Sequence, residues 1–255
     1  MKLLAAATAI FFAVLLSLVN PAFAIINGSN MPADSDITQS VVMIYAPTQE
    51  LFCTGTLISA KVILTAAHCA FNDAKGLMIT FGNAPITGQF KSRKVVRTLV
   101  LETGKKNNRG DDLALMIMDR AAPAGTQVVN LPDESFPLTS GLEFMATGFG
   151  RTSGLPTKDA KDLQGAGYLR HVNLKISNFS ADQKTFAVIQ NNGKGICHGD
   201  SGGPALMTYE GQIYIVGVAS GVTWLASQKD NCAHRSTYVN VQSQREWIQK
   251  SLLGM

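Results

Sequence analysis

The chain has 255 residues, 46% of them apolar and 16% charged, with a formal net charge of +4. The apolar share excludes a disordered chain, and so mild a positive charge gives no reason to expect a nucleic-acid partner. The length admits one large all-β domain or two smaller ones, either with a substantial core.

Residues 1–24 carry Lys2, an apolar run from Leu3 to Val19, then Pro21 and the small-residue pattern Ala22-Phe23-Ala24. This is the layout of a secretory signal peptide. A membrane anchor fits less well, because about 20 apolar residues are needed to span a bilayer and this run has 17 before Asn20 and Pro21 interrupt it. Cleavage after Ala24 would leave 231 residues with a charge of +3. The product is expected to be secreted, extracellular or periplasmic, with no stable membrane anchor. Four cysteines in an exported chain imply two disulfides, with three connectivities open.

Beyond residue 24, strand signals dominate. Val41–Tyr45, Leu57-Ile58, Val62–Leu64, Leu77–Phe81, Val95–Leu101 and Leu113–Met118 are short runs rich in β-branched residues, separated by Gly, Asn, Pro and Lys. That is the pattern of hairpins in a barrel or sandwich. The basic run Lys91, Arg93, Lys94 and Arg97, with Lys105, Lys106 and Arg109 after it, has no interleaved aromatics for base stacking and reads as solvated strand ends and loops. After a connector holding Ala122–Gly125 and Leu131-Pro132-Asp133, a second set follows: Leu142–Thr147, Tyr168–Ile176, Thr185–Ile189, Ala205–Tyr209, Gln212–Val218 and Ser236–Val241. In Ser243–Leu253, Trp247, Ile248 and Leu252 have the spacing of one apolar face of a short terminal helix.

Gly199-Asp200-Ser201-Gly202-Gly203-Pro204 sets one hydroxyl between small residues that let the backbone close around a reacting group. A serine becomes a nucleophile only with a base to take its proton and an acid to orient that base. Thr65-Ala66-Ala67-His68-Cys69 and Asp112-Leu113-Ala114-Leu115 offer both. No C-x-x-C or H-E-x-x-H spacing suggests a metal site, and no cofactor is expected.

These motifs, in this order, resemble those of the chymotrypsin/trypsin family of serine proteases. Ile25-Ile26-Asn27-Gly28 is similar to the family's mature amino terminus, Thr65–Cys69 to its histidine motif, Asp112–Leu115 to its aspartate motif and Gly199–Pro204 to its serine motif. Phe52–Ser59, Thr147–Gly150 and Val216–Ser220 extend the resemblance over nearly the whole chain after residue 24. It implies an all-β fold of two antiparallel six-stranded barrels, about 25–130 and about 131–242, with a cleft between them and a terminal helix at about 243–253. It also implies a monomeric endopeptidase acting on proteins or peptides and open to protein inhibitors.

On this resemblance Ser201 attacks the carbonyl, His68 transfers the proton and Asp112 orients His68. Imidazole suits the transfer because its ordinary pKa is about 6.5. Asp111 is set aside, since alternation along a strand would point it away from its neighbour. The resemblance pairs Cys53 with Cys69 and Cys197 with Cys232. It also makes the amides of Gly199 and Ser201 the oxyanion hole and Ile25, with a freed amino group, the partner of buried Asp200. Since Ala22-Phe23-Ala24 abuts Ile25 directly, removal of the signal peptide would itself create that amine. The residue six before the nucleophile, at the base of the family's primary pocket, is Gly195, followed by Ile196; Ser220, Gly221, Val222 and Ser236 would form the walls and His198 the rim. No acid stands ready for a basic substrate side chain, so small or medium aliphatic residues are expected before the scissile bond. An open pocket for Phe or Tyr is the alternative, and His198, His234 and Arg235 leave an acidic preference open.

Two other readings fit less well. Gly199–Gly203 also satisfies G-x-S-x-G, the nucleophile elbow of α/β-hydrolases. Those enzymes run Ser, acid, His, whereas His234 lies only 33 residues after Ser201, too few for the rest of that fold. A catalytically dead binding protein would be expected to lack a triad member, and all three are present. His171, alternating within a strand, reads as a surface or packing residue. The stretch between Asp73 and Glu102 holds no carboxylate for calcium.

Overall fold

The computed structural model describes residues 25–47, 51–70, 74, 76–88, 90–101, 109–157 and 162–254. The signal-peptide reading of residues 1–24 therefore falls outside the described residues. The first set of strands comprises β1 (Ser29–Asn30), β2 (Val41–Ala46), β3 (Leu51–Ser59), β4 (Val62–Thr65), β5 (Met78–Phe81), β6 (Lys91–Val100) and β7 (Ala114–Met118). The second comprises β8 (Glu143–Gly148), β9 (Arg170–Lys175), β10 (Asn178–Phe179), β11 (Thr185–Ile189), β12 (Pro204–Tyr209), β13 (Gln212–Thr223) and β14 (Arg235–Asn240). A helix, α1 (Arg245–Leu253), follows a single 3-10 turn over Gln242–Gln244.

All the pairings between these strands are antiparallel. Strands β2-β3-β4-β7-β6-β5 close into a six-stranded barrel. The second half is a sheet in the order β1-β9-β8-β12-β13-β14-β11-β10. Six of its strands are the expected ones; the two-residue β1 and β10 add a rung at either end. β1 comes from the start of the chain, so the amino-terminal segment is stitched onto the second half.

Strand β2 shows how the halves meet. Val42, Ile44 and Ala46 point into the first barrel, beside Leu57, Ile63, Ile79 and Leu115. The alternate residues Val41 and Met43 pack instead with Phe149 and Leu169 of the second half. Successive strand side chains face opposite ways, so a strand buried on both faces must be apolar throughout, as Val41-Val42-Met43-Ile44 is. The second half has an aromatic core: Tyr238 stacks on Phe186 with ring centroids 5.2 Å apart and meets Phe144 edge-on at 5.2 Å. Ile25, fully buried, belongs to the same cluster.

Candidate active site

His68 sits in a single 3-10 turn, Ala67–Cys69, at the end of β4. A disulfide from Cys69 to Cys53 on β3 ties that turn to the barrel wall. Asp112 lies between a 3-10 turn, Arg109–Asp111, and the start of β7. The strand alternation invoked against Asp111 therefore does not operate there. Asp111 is nonetheless turned away: it is buried, with Lys184 Nζ 3.5 Å from its carboxylate.

The two groups meet closely. Asp112 accepts from the His68 backbone N–H at 3.0 Å, and His68 Nδ1 lies 2.9 Å from Oδ2 and 3.1 Å from Oδ1. An ionised carboxylate only accepts, so Nδ1 carries the proton and Nε2 keeps its lone pair. The Ser220 hydroxyl donates to Asp112 Oδ2 at 2.6 Å. Burial alone would raise the Asp112 pKa, but hydrogen bonds and charge from His68, together with the Ser220 hydroxyl, hold it below its ordinary value. Ser220, expected in the pocket wall, thus points its hydroxyl at the acid.

Ser201 stands on a loop folded by its glycines. Gly199 and Gly202 have φ of +94° and +79°, where a side chain is strained. A Cβ on Gly199 would also run into the Phe52 ring, and one on Gly202 into Thr65 and Thr54. Within the loop, Asp200 N–H donates to the Cys197 carbonyl, Gly202 N–H to that of Ala219 and Gly203 N–H to that of Asp200. The amides of Gly199 and Ser201 donate to no described residue. Two free N–H groups beside a hydroxyl can receive an oxygen that gains negative charge.

Thr54, on β3, joins this loop to the barrel carrying His68, and sequence reasoning assigned it no role. Its N–H donates to the Ser201 carbonyl at 2.8 Å and its hydroxyl to the Gly199 carbonyl at 2.9 Å. Its hydroxyl also accepts from Phe149 N–H at 3.2 Å, and its carbonyl accepts from the Thr65 hydroxyl at 2.9 Å. Unpairing a buried polar group costs about 1–3 kcal/mol. Thr54→Val, which keeps the shape but unpairs Gly199 and Phe149, is expected to lower stability by about 2 kcal/mol in urea denaturation. It should also lower kcat more than it raises KM, because the substrate touches neither group.

Asp200 is fully buried and accepts from Gly150 N–H and Cys197 N–H, both at 2.8 Å. Burial pushes its pKa up to about 7 despite these bonds and the nearby charge of Arg170. A Cβ on Gly148 or Gly150 would run into this carboxyl, so both glycines make room for it. The segment Ile25–Gly28 docks close by. Ile26 pairs with Gly195 in both directions, at 2.9 and 3.3 Å, and the Asn27 side chain donates to the Gly193 carbonyl at 2.6 Å.

The remaining residues expected in the pocket lie on two segments. Gly195 and Ile196 are buried on one, and Val222 pairs with Ser236 on the other. The disulfide Cys197–Cys232 joins the segment before Ser201 to the loop after β13. Ser236 is fully buried, and its hydroxyl has no partner among the described residues. His198 is exposed, its Nε2 2.8 Å from Asn231 Oδ1, and Gly221 lies at a register shift of β13. The loop Thr223–Asn231 is anchored by Asp230, whose carboxylate accepts from Gly154 N–H and Cys232 N–H. Two groupings, Cys53 and Cys69 with His68 and Cys197 and Cys232 with His198, have the proximity of metal ligands. All four sulfurs are in disulfides, so none is a thiolate donor. Among the described residues no helix is long and apolar enough to cross a membrane.

Comparison with known proteins agrees with this geometry. The family profile described as Trypsin matches residues 25–248. The chain is 27% identical over 231 residues to Snake venom serine protease 3 of Protobothrops jerdonii, covering 88% of this chain and 86% of that protein. It is 26% identical to Serine protease SP24D of Anopheles gambiae, covering 79% and 72%. It is 25% identical to Trypsin 5G1 of Aedes aegypti, covering 78% and 74%. With a closed barrel, a second large sheet, a short carboxy-terminal helix and this profile over most of its length, the chain belongs to the trypsin family and is a chymotrypsin-like serine endopeptidase.

Proposed function

We propose that peptide bonds are cleaved through an acyl-enzyme intermediate on Ser201. His68 Nε2 takes the hydroxyl proton as Ser201 attacks the carbonyl, then donates it to the leaving amine; water repeats the cycle to release the acid. Asp112 fixes the imidazole tautomer and balances the charge it gains, with Ser220 holding the carboxylate in turn. The amides of Gly199 and Ser201 receive the oxyanion. The observation that carries this reading is the hydrogen-bonded series Ser220, Asp112, His68, together with a glycine-folded loop around Ser201 whose Gly199 and Ser201 amides donate to no described residue. His68 and Asp112 come from the half that carries the closed barrel, about 25–130, and Ser201 from the half built on the second sheet, about 131–242. All three belong to one chain, so a monomer holds the complete site.

Export and activation are proposed as one event. Removal of residues 1–24 would free the Ile25 amine, which would pair with Asp200. Ile25 is fully buried with φ +53°, a left-handed conformation costly for a β-branched residue. That torsion exists only while residue 24 is attached. Two disulfides, and relatives named for snake venom, also support secretion. Amino-terminal sequencing of the secreted protein should read Ile-Ile-Asn-Gly, and a start elsewhere would overturn single-step activation.

For specificity, the walls formed by Ile196 and Val222, with no carboxylate at Gly195, favour small or medium aliphatic residues before the scissile bond. One methylene in an apolar pocket is worth about 10-fold to 200-fold in kcat/KM. Chromogenic peptides differing only at that residue should therefore rank Ala and Val well above Arg and Lys. Faster turnover after Arg or Lys would show that the pocket base is misassigned.

A further inference from the structure

We infer that Gln190 is the floor of the primary specificity pocket, its carboxamide lying where a side chain at position 195 would otherwise be. The inference rests on the proposed reading of the 195–199 and 220–222 segments as pocket walls. Gln190 follows directly after β11, and its N–H donates to the His234 carbonyl at 2.8 Å, continuing the ladder in which Val188 pairs with Ser236. The Gln190, Val188 and Ser236 side chains therefore share one face, the face turned into the second half.

Gln190 is 1% exposed, and its carboxamide ties the two walls together from beneath. Its Oε1 accepts from Ile196 N–H at 2.9 Å, while Nε2 donates to the Ile196 carbonyl at 3.1 Å and to the Cys232 carbonyl at 2.5 Å. A Cβ on Gly195 would fall onto this carboxamide, within 2.6 Å of its Oε1. Gly195 is thus held between Ile26 on one side and Gln190 on the other, and the absent side chain leaves no extra depth.

The chemistry of that floor determines what it accepts. Both N–H groups are committed to carbonyls, and the oxygen already takes one amide, so no charge is available for an ammonium or guanidinium. A long apolar side chain would press against an amide face that it cannot pair with. The floor suits a side chain that ends before reaching it.

Two variants test this, each counted by titration with an active-serine reagent and assayed on peptides carrying Ala, Leu, Met, Phe, Lys or Arg before the scissile bond. Gln190→Ala should raise the kcat/KM ratios of Leu, Met and Phe to Ala by about 10-fold or more over the parent, since it opens room for more than one methylene. Gln190→Glu, almost identical in shape, should raise the Lys and Arg ratios to Ala by at least about 10-fold. Ratios within about twofold of the parent in titratable enzyme would overturn the assignment. Failure of both variants to give titratable enzyme would do the same, making Gln190 a structural residue only. A parent that prefers Phe would defeat the aliphatic reading of the pocket, yet ratios that still move with residue 190 would uphold Gln190 as its floor.

Discussion

Ser201→Ala, in the chain beginning at Ile25, is expected to lower kcat by about 10⁶-fold with little change in KM. The residual rate over water would come from the oxyanion donors and substrate positioning. His68→Ala should lose about as much, because a hydroxyl without its base is no better than water, and the double variant should be scarcely worse than either single one. Groups that act as one unit are far from additive. Asp112→Asn should cost less, about 10⁴-fold, since the imidazole stays in place but in the wrong tautomer. Initial rates on one chromogenic peptide, scaled by protein concentration, suffice to read all four. Independent, multiplying effects of Ser201 and His68 would mean that they do not work as a pair.

Keeping residues 22–24 on the chain is expected to alter both activity and the pH dependence of stability. With Ile25 still in a peptide bond, the Asp200 carboxyl lacks that amine and, with only the nearby charge of Arg170, titrates near 7 rather than at its ordinary 3.8. The folded chain then holds a proton that the unfolded chain releases. Stability is complete below about pH 4, falls as pH rises toward 7, and levels off above. Between pH 5 and pH 8 the loss is on the order of 3 kcal/mol. A freed Ile25 ammonium would keep the carboxylate ionised and remove that slope. Urea denaturation at both pH values, on Ser201→Ala versions starting at Ala22 and at Ile25, compares the two directly; equal slopes would argue against the pair. In active enzyme the extended form should also lose about 10²- to 10³-fold in kcat, the cost of one misplaced oxyanion donor.

The proposed chemistry was legible in the sequence because acyl transfer restricts residue type so tightly. A hydroxyl among glycines, a histidine and an aspartate with fixed neighbours point to each other across the chain, and the resemblance also paired the four cysteines as they are found. Positioning was less legible. Thr54 lies within the family-like stretch Phe52–Ser59, yet nothing in Cys53-Thr54-Gly55 says that its hydroxyl reaches Gly199. Gln190 looks like any polar residue ahead of the turn Asn191-Asn192-Gly193, and only the fold turns it under Gly195. Ser220 was placed in the pocket region, but its bond to Asp112 spans 108 positions. Strand ends were blurred for ordinary reasons. Lys91–Lys94 form a charged strand end that extends β6 ahead of the apolar run from Val95, and β13 runs past Val218 to Thr223 through an irregularity in its register between Ala219 and Gly221. Alternation along a strand says nothing about Asp112, which sits just outside one, between the turn Arg109–Asp111 and β7.

The most direct test of the proposed mechanism is covalent labelling. A phosphonylating reagent that reacts only with an activated serine, added to the chain beginning at Ile25, should give one adduct per molecule, located on Ser201 by peptide mass mapping and absent in His68→Ala. An unlabelled protein, an adduct on another serine, or undiminished labelling without His68 would contradict it.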